Sequence, residues 1–418
     1  MNHNEKKIRP AALTFLLGVA QIYAWATTYY LPATLIEIIA NETGQSSLVI
    51  VGGFSWALLI SGLSAPKIGA WIEHEGGRRP LALGSVLMGL GLLILSATQG
   101  VFMWYLGWTV IGFGMALGLF NAAFAAIGRL FGHASKKMII RITLISGFAT
   151  LLWPITTSLI QTVGWKTMLV YYSIPYFIVW APLYFFTIPA WVPEHTETRA
   201  AEQTTASKKA TLLFYLLALY AILRSVVGTT ISVDILIMFG GLGLTLGAAA
   251  LVASFIGPAQ IVGRVIEMFV GRNFDPLKSS IFWTAVLPVA IFSLLLGGMH
   301  AAPIFAIAYG MSNGVLTITM GILPMILFGS KGYATLLGKL ALPVLIAQAL
   351  APLLVAPLLE RWTAMQVFML AGGIGILALL CLIFLAFISK QPDTHEAMHL
   401  KSIASKFLRR YNCRRKGG

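Results

Sequence analysis

The sequence predicts an all-α membrane protein, with twelve transmembrane helices in two six-helix bundles. Three observations predict it. The 418 residues are 58% hydrophobic and only 10% charged, where a soluble domain carries about 25% charged residues. So little charge cannot cover a water-exposed surface, which excludes a cytosolic enzyme, a nucleic-acid-binding domain and a disordered chain. Apolar runs of about 20 residues, the length that crosses a bilayer, recur along the whole chain without the period-two alternation of a β-barrel. A single long polar connection then divides the chain, and the two halves repeat.

The apolar runs place spans near 11–33, 47–68, 80–99, 101–126, 139–162 and 167–188, and again near 211–239, 243–269, 279–299, 302–328, 335–358 and 364–388. Residues 1–10 form an N-terminal tail, 11–188 the first bundle, 189–210 the linker, 211–388 the second bundle and 389–418 a basic tail. The first span is long and lacks an Ala-x-Ala exit, so no cleavable leader is expected. Lys and Arg fix the orientation, because cytoplasmic segments collect them. With both termini cytoplasmic in an inner membrane, 24 of the 29 cations fall on the cytoplasmic side, among them Arg78, Arg79, Arg129 and the eight from Lys390 onward. Lys166 and Arg361 fall on the other side, and Arg224, Arg264 and Lys339 lie within spans. The net charge of +15 is therefore a topological signal and not a nucleic-acid footprint.

The repeat has a register. Leu130-Phe131-Gly132 recurs as Leu327-Phe328-Gly329, and Trp165-Lys166-Thr167-Met168 as Trp362-Thr363-Ala364-Met365, both at an offset of 197. Trp153-Pro154 aligns near Ala351-Pro352 at 198, and Gly69…Glu73 with Gly263…Glu267 at 194. Duplication of a six-helix unit keeps the topology of each copy, so an axis along the membrane normal relates the halves.

Between the second and third spans stands Gly69-Ala-Trp-Ile-Glu73-His74-Glu75-Gly76-Gly77-Arg78-Arg79. It resembles the signature cytoplasmic loop of the major facilitator superfamily: Gly, three residues, an acid, a base, one residue, Gly, one residue, two bases. His74 stands where a full base is usual, and Glu73 where Asp is commoner. Gly69 permits close helix approach, Gly76 turns the chain, and Glu73 with Arg78 and Arg79 forms a charge cluster able to pin the halves together. The resemblance covers the chain to about residue 390. It implies a monomeric secondary transporter that rocks one half against the other around a midplane site, lined by spans 1, 4, 7 and 10 with help from 2, 5, 8 and 11.

Residues that lipid would not select mark the expected cavity. The first span carries Gly18, Gln21, Trp25, Thr28 and Pro32 on one stripe. Trp25 is too deep for an interfacial belt, whereas Tyr29 and Tyr30 suit one. Trp56, Trp108 and Trp153 are placed to join Trp25. The tenth span shows Asn313, Thr317, Gly321 and Pro324 on one stripe, and Asn121 in the fourth is the matching amide. Intramembrane charges are costly and hence informative. Arg224, one turn from both Tyr220 and Gly228, suits a carboxylate clamp or ring stacking, or else a structural pair. Gln260, Arg264 and Glu267 share a face; Arg264 either pairs with Glu267 or joins Gln260 in a solute site. Asp234, near the outer end of the seventh span, is the candidate for proton coupling or an ordinary interfacial acid. Lys339 is placed to snorkel to the interface.

Gln260…Arg264 also resembles the acid-or-amide…Arg spacing of monocarboxylate transporters. YYLPATLIE at 29–37, WALLISGLSAPKIG at 56–69 and AAFAAIGRLFG at 122–132 look like the bacterial branch near the monocarboxylate and oxalate/formate carriers. The overall look is similar to bacterial riboflavin transporters. A cavity rich in Trp and Tyr and poor in net charge suits a planar heteroaromatic solute by stacking, whereas a small carboxylate asks for unpaired cations. No phosphate-binding Gly-rich loop is present, so ATP drive is not expected. No nucleophile–base or metal constellation suggests an enzyme, and no cofactor is implied; a membrane sensor on the same scaffold is the rival class. Two cysteines, Cys381 and Cys413, are too few for a disulfide framework. The tail 401–416 carries seven cations and no acid, as a surface helix on anionic lipid does.

Overall fold

The computed structural model describes residues 10–189, 208–270 and 275–390. The described residues are almost wholly helical, in twelve consecutive rods: α1 (Pro10–Ala24, continued by Pro32–Thr43), α2 (Ser47–Glu75), α3 (Arg78–Ser96), α4 (Val101–Gly118 and Phe120–Phe131), α5 (Ser135–Ser146 and Leu152–Val163), α6 (Trp165–Pro175 and Ala181–Thr187), α7 (Lys208–Gly241), α8 (Leu246–Ser254 and Ile256–Phe269), α9 (Pro276–Gly297), α10 (Ala302–Phe328), α11 (Tyr333–Arg361) and α12 (Ala364–Lys390). Ten described segments are long and apolar enough to cross a membrane; two of them, Val101–Ala149 and Pro276–Phe328, each hold two helices. Helices are the form such a sequence must take, since every backbone N–H and C=O in hydrocarbon needs a partner within its own segment.

Several rods outrun their apolar runs. The first, expected over 11–33, continues to Thr43, and the eleventh starts at Tyr333 and ends at Arg361. The 69–79 motif, expected as a loop, is mostly helix: Gly69–Glu75 completes α2 and Arg78 opens α3. Only Gly76 and Gly77 turn the chain, and Gly76 holds φ 79°, a region that a side chain resists. Hydropathy finds the part of a helix that lipid demands, and polar ends extend beyond it. The internal repeat is visible at matching turns. Gly132 (φ 52°) ends α4 and Gly329 (φ 82°) ends α10, while Trp165 opens α6 and Trp362 precedes α12.

Breaks interrupt the rods near mid-length. Leu119 is extended (φ −82°, ψ −172°) and splits α4. A π-turn occupies Trp25–Tyr29 in α1, a second lies at Tyr176–Trp180 in α6, and a 3-10 stretch covers Gly147–Leu151 in α5. Such turns release carbonyls that a straight helix would consume.

The halves meet most closely between α2 and α11. A Cβ on Gly69 would lie against the Ala334 carbonyl, and one on Gly338 against the Ala65 carbonyl. Neither position has room for a side chain, so backbone packs on backbone, as small residues allow between membrane helices. Gly338→Ala is expected to push these helices apart and cost about 1–3 kcal/mol through overpacking. Gly373→Ala, whose Cβ would meet nothing within 4 Å, is the control. Thermal unfolding in detergent checks the pair, and equal midpoints would contradict this account of the interface.

Candidate functional site

Two arrangements of polar side chains stand out, one at the end that carries the 69–79 motif and one at mid-depth. At the motif end the Glu73 carboxylate crosses between halves. Its Oε1 accepts from the Gly332 N–H at 3.3 Å and its Oε2 from the Ala334 N–H at 3.0 Å. These are unpaired donors at the start of α11, where a negative charge also meets the positive end of the helix dipole. Arg129 holds the acid from behind: its Nε lies 3.5 Å from Glu73 Oε1 and donates to the Glu73 carbonyl at 3.0 Å. The paired bases of the motif play other parts. Arg79 pairs with Glu75 within its own half at 3.4 Å. The Arg78 guanidinium lies 4.2 Å from the centre of the Phe185 ring. Of the cluster expected to pin the halves, Glu73 with Arg78 and Arg79, only Glu73 reaches across, and Arg129 of its own half takes the supporting place expected of the paired bases. The sequence showed Arg129 only as one more basic residue, because nothing in its spacing points to a residue 56 positions earlier.

Just inside this latch, α4 packs on α10 and α11. The Phe124 ring fills the space that Gly321 leaves, and the Tyr333 ring fills that beside Gly128. The Tyr333 hydroxyl donates to the Gly321 carbonyl. Ser135 Oγ, which donates to the Gly132 carbonyl at 2.6 Å, lies 3.4 Å from Met325 Sδ of α10. The two halves are in contact here.

At mid-depth a cavity of about 20 Å³ lies between the halves. Trp25 and Tyr30 of α1 and Phe120 of α4 form its aromatic side, with ring centroids 5.7 and 4.7 Å from that of Trp25. Gln260 and Arg264 of α8 form its polar side, and Ser146 and Gly147 of α5 its floor. Gln21 positions the tryptophan: its Oε1 accepts from Trp25 Nε1 at 3.1 Å, while its Nε2 donates at 2.7 Å to the Gly118 carbonyl, released by the break in α4. Arg264 bridges the halves. Its Nη1 donates to the Thr143 carbonyl at 2.9 Å and its Nε to the Gly314 carbonyl at 3.3 Å. Those bonds use two of its five donors. A Cβ on Gly147 would lie 2.5 Å from Arg264 Nη1, so glycine is what lets the guanidinium reach α5.

A second cavity, of about 30 Å³, lies inside the C-terminal half between α7, α9, α10 and α12. Arg224 and Asn313 line it, and Arg224 Nη1 donates to Asn313 Oδ1 at 3.1 Å. Asp234 is buried farther along α7, with Oδ2 unpartnered.

Other expected site residues fall elsewhere. Trp108 is 1% exposed and packs in the core against Phe54 and Trp104. Its aromatic bulk was legible, but not that α4 turns it into the bundle. Asn121 is exposed and lines neither cavity. Trp56 is 40% exposed and donates to Thr109 Oγ1 at 2.8 Å. Trp153 lies on α5, and its side chain is outside the described set, as are 190–207 of the linker and the tail after Lys390. The alternative pairing of Arg264 with Glu267 is not formed; Glu267 accepts from Ser279 Oγ at 2.8 Å instead. Tyr30, expected in an interfacial belt, lines the first cavity, because α1 runs to Thr43 and places it well inside the helix.

Twelve helices in two related sixes, joined along α2 and α11, define the major facilitator fold. Solved structures of that fold superpose on the chain. The proton:xylose symporter XylE, bound to 6-bromo-6-deoxy-D-glucose, matches with a TM-score of 0.68 at 17% identity, over 90% of this chain and 95% of its own. The human organic anion transporter MFSD10 (TETRAN) matches with a TM-score of 0.67 at 13% identity, over 91% of this chain and 100% of its own. No protein-family model and no curated protein sequence matches the chain.

Glu73→Gln keeps the shape of the latch and removes its charge. The loss is expected to be about 1–2 kcal/mol, roughly a 5- to 30-fold shift toward separation at the motif end. Maleimide labelling of a cysteine placed at the buried Ser135 would report it as faster modification. Equal rates with and without Glu73→Gln would remove the carboxylate from the latch.

Proposed function

We propose that the chain is a secondary transporter that moves a small organic solute across the inner membrane by alternating access. The observation that carries this reading is the first cavity: it lies between the halves, with aromatic rings on one face and an amide and a guanidinium on the other. At about 20 Å³ it has room for a water or two, far short of the roughly 300–1,000 Å³ of a ligand pocket. Rocking of one half against the other is what opens it. The rings of Trp25, Tyr30 and Phe120 suit a planar heteroaromatic solute, riboflavin or a relative, with Gln260 and Arg264 reading the polar edge. Because Arg264 bonds the Thr143 carbonyl across the halves, a solute that takes its donors also loosens that bridge, which couples binding to motion.

The basic connections support an N-terminus and C-terminus on the cytoplasmic side, and the basic tail suits anionic lipid. The working unit in this reading is a monomer. Asp234 is the group assigned to proton coupling, since it is the buried carboxylate of α7 and its Oδ2 has no hydrogen-bond partner. A second reading rests on Arg264, which has no acid paired to it among the described residues: a proton-coupled carrier of a small organic anion.

Labelled riboflavin and labelled lactate, presented side by side to reconstituted vesicles with and without an inward proton gradient, separate the readings. Saturable flavin uptake is expected, and lactate uptake without flavin uptake would overturn the preferred solute. Trp25→Ala should raise the half-saturation concentration several-fold more than Trp25→Phe, since an aromatic contact adds about 0.5–1.5 kcal/mol beyond its area. Equal kinetics would return Trp25 to packing. Asp234→Asn should retain flavin exchange and lose accumulation driven by the gradient; retained accumulation would exclude Asp234 from coupling.

A further inference from the structure

Among the described residues Arg224 has no counter-charge. Its one side-chain partner is the neutral Asn313, and its Nε is buried and unpartnered. The ion pairs among the described residues, Arg79 with Glu75 and Arg129 with Glu73, both lie at the motif end. Asp234 is ten residues farther along α7, about 15 Å at the rise of a helix. A water molecule can satisfy a guanidinium N–H but cannot neutralise it, and an unneutralised charge at this depth is costly.

The surroundings suit a small anion. Asn313 gives its Oδ1 to Arg224 and keeps its Nδ2 donors. The Thr284 hydroxyl, 3.0 Å from the Tyr220 hydroxyl, has its own proton to give when Tyr220 donates to it. Val227, Leu287 and Leu316 supply apolar walls, which strengthen any charge interaction between them. At about 30 Å³ the cavity exceeds the roughly 10–15 Å³ that one water needs and falls far short of the roughly 300–1,000 Å³ of a ligand pocket, room for a small ion and not for an organic solute of ordinary size. All the lining residues belong to the C-terminal half, so the cavity does not depend on how the halves are placed.

We propose that this cavity binds one small inorganic anion of the halide kind, held by Arg224 with Asn313 and Thr284, as the resident counter-ion of the C-terminal bundle. The site is distinct from the cavity between the halves and does not rest on the transport reading.

Full-length protein in lipid nanodiscs, with chloride replaced by gluconate, tests the proposal through its thermal midpoint. Titration with chloride or bromide is expected to raise the midpoint by roughly 1–3 °C per tenfold increase once the ion exceeds its Kd. Gluconate, too large for the cavity, should have no such effect, and Arg224→Gln should abolish the rise. Should Arg224→Gln fail to fold, Asn313→Asp decides: it sets a carboxylate beside Arg224 and is expected to stabilise the protein in gluconate and end the halide dependence. A wild-type midpoint indifferent to halide would overturn the proposal, as would a halide response that survives in Asn313→Asp. Acetate acting as well as chloride would assign the cavity to carboxylates and overturn it equally.

Discussion

The close approach of α2 to α11 is the constraint on which the rest of the structure depends. Gly69 and Gly338 bring backbone against backbone carbonyl, and two helices this near have no slack for sliding. That register places Glu73 over the first turn of α11, where its oxygens meet two N–H groups without a helical partner. It also places Tyr333 against Gly128 and the Gly321 carbonyl. The contact at the motif end is therefore made of backbone polarity and ring packing, with one carboxylate and one guanidinium as its charged elements.

At mid-depth the halves are joined differently. Arg264 reaches from α8 to a carbonyl of α5, a bond that a modest displacement can break and that another acceptor can replace. The two joints thus differ in kind. Packing between glycines persists through small rotations, whereas a directional bond to a single carbonyl does not.

The fold was legible because bilayer thickness imposes a length and a composition on every span, and because the two halves repeat at offsets of 194 to 198 residues. The candidate site was legible where a residue is one that lipid would not select. Gln21, Trp25, Gln260 and Arg264 all drew notice for that reason, and all stand at or beside the first cavity. Residues at home in any membrane helix gave no such sign. Phe120 matters because α4 breaks before it, Gly147 because a guanidinium from another helix lies over it, and neither event leaves a mark in the local sequence. Trp108 shows the opposite failure, since an indole is equally at home in a core and in a cavity. Arg78 and Arg79 show a third: the motif gave the right charges, but which of them reach across the halves depends on where α11 starts.

The break at Leu119 joins these parts into a lever. Below it, Phe124 and Gly128 abut α10 and α11; above it, the upper segment of α4 is packed on α2 and α3. The carbonyl freed at the fulcrum, that of Gly118, is held by Gln21, and the same amide holds the indole of Trp25. Phe120 stacks on Phe124 at 5.1 Å on one side and meets Trp25 at 4.7 Å on the other. A swing of the lower arm of α4 away from α10 and α11 therefore drags on both the amide and the ring that set the angle of Trp25. The contact at one end of the molecule and the setting of a single indole at its centre are thus joined by one unbroken chain of neighbouring side chains.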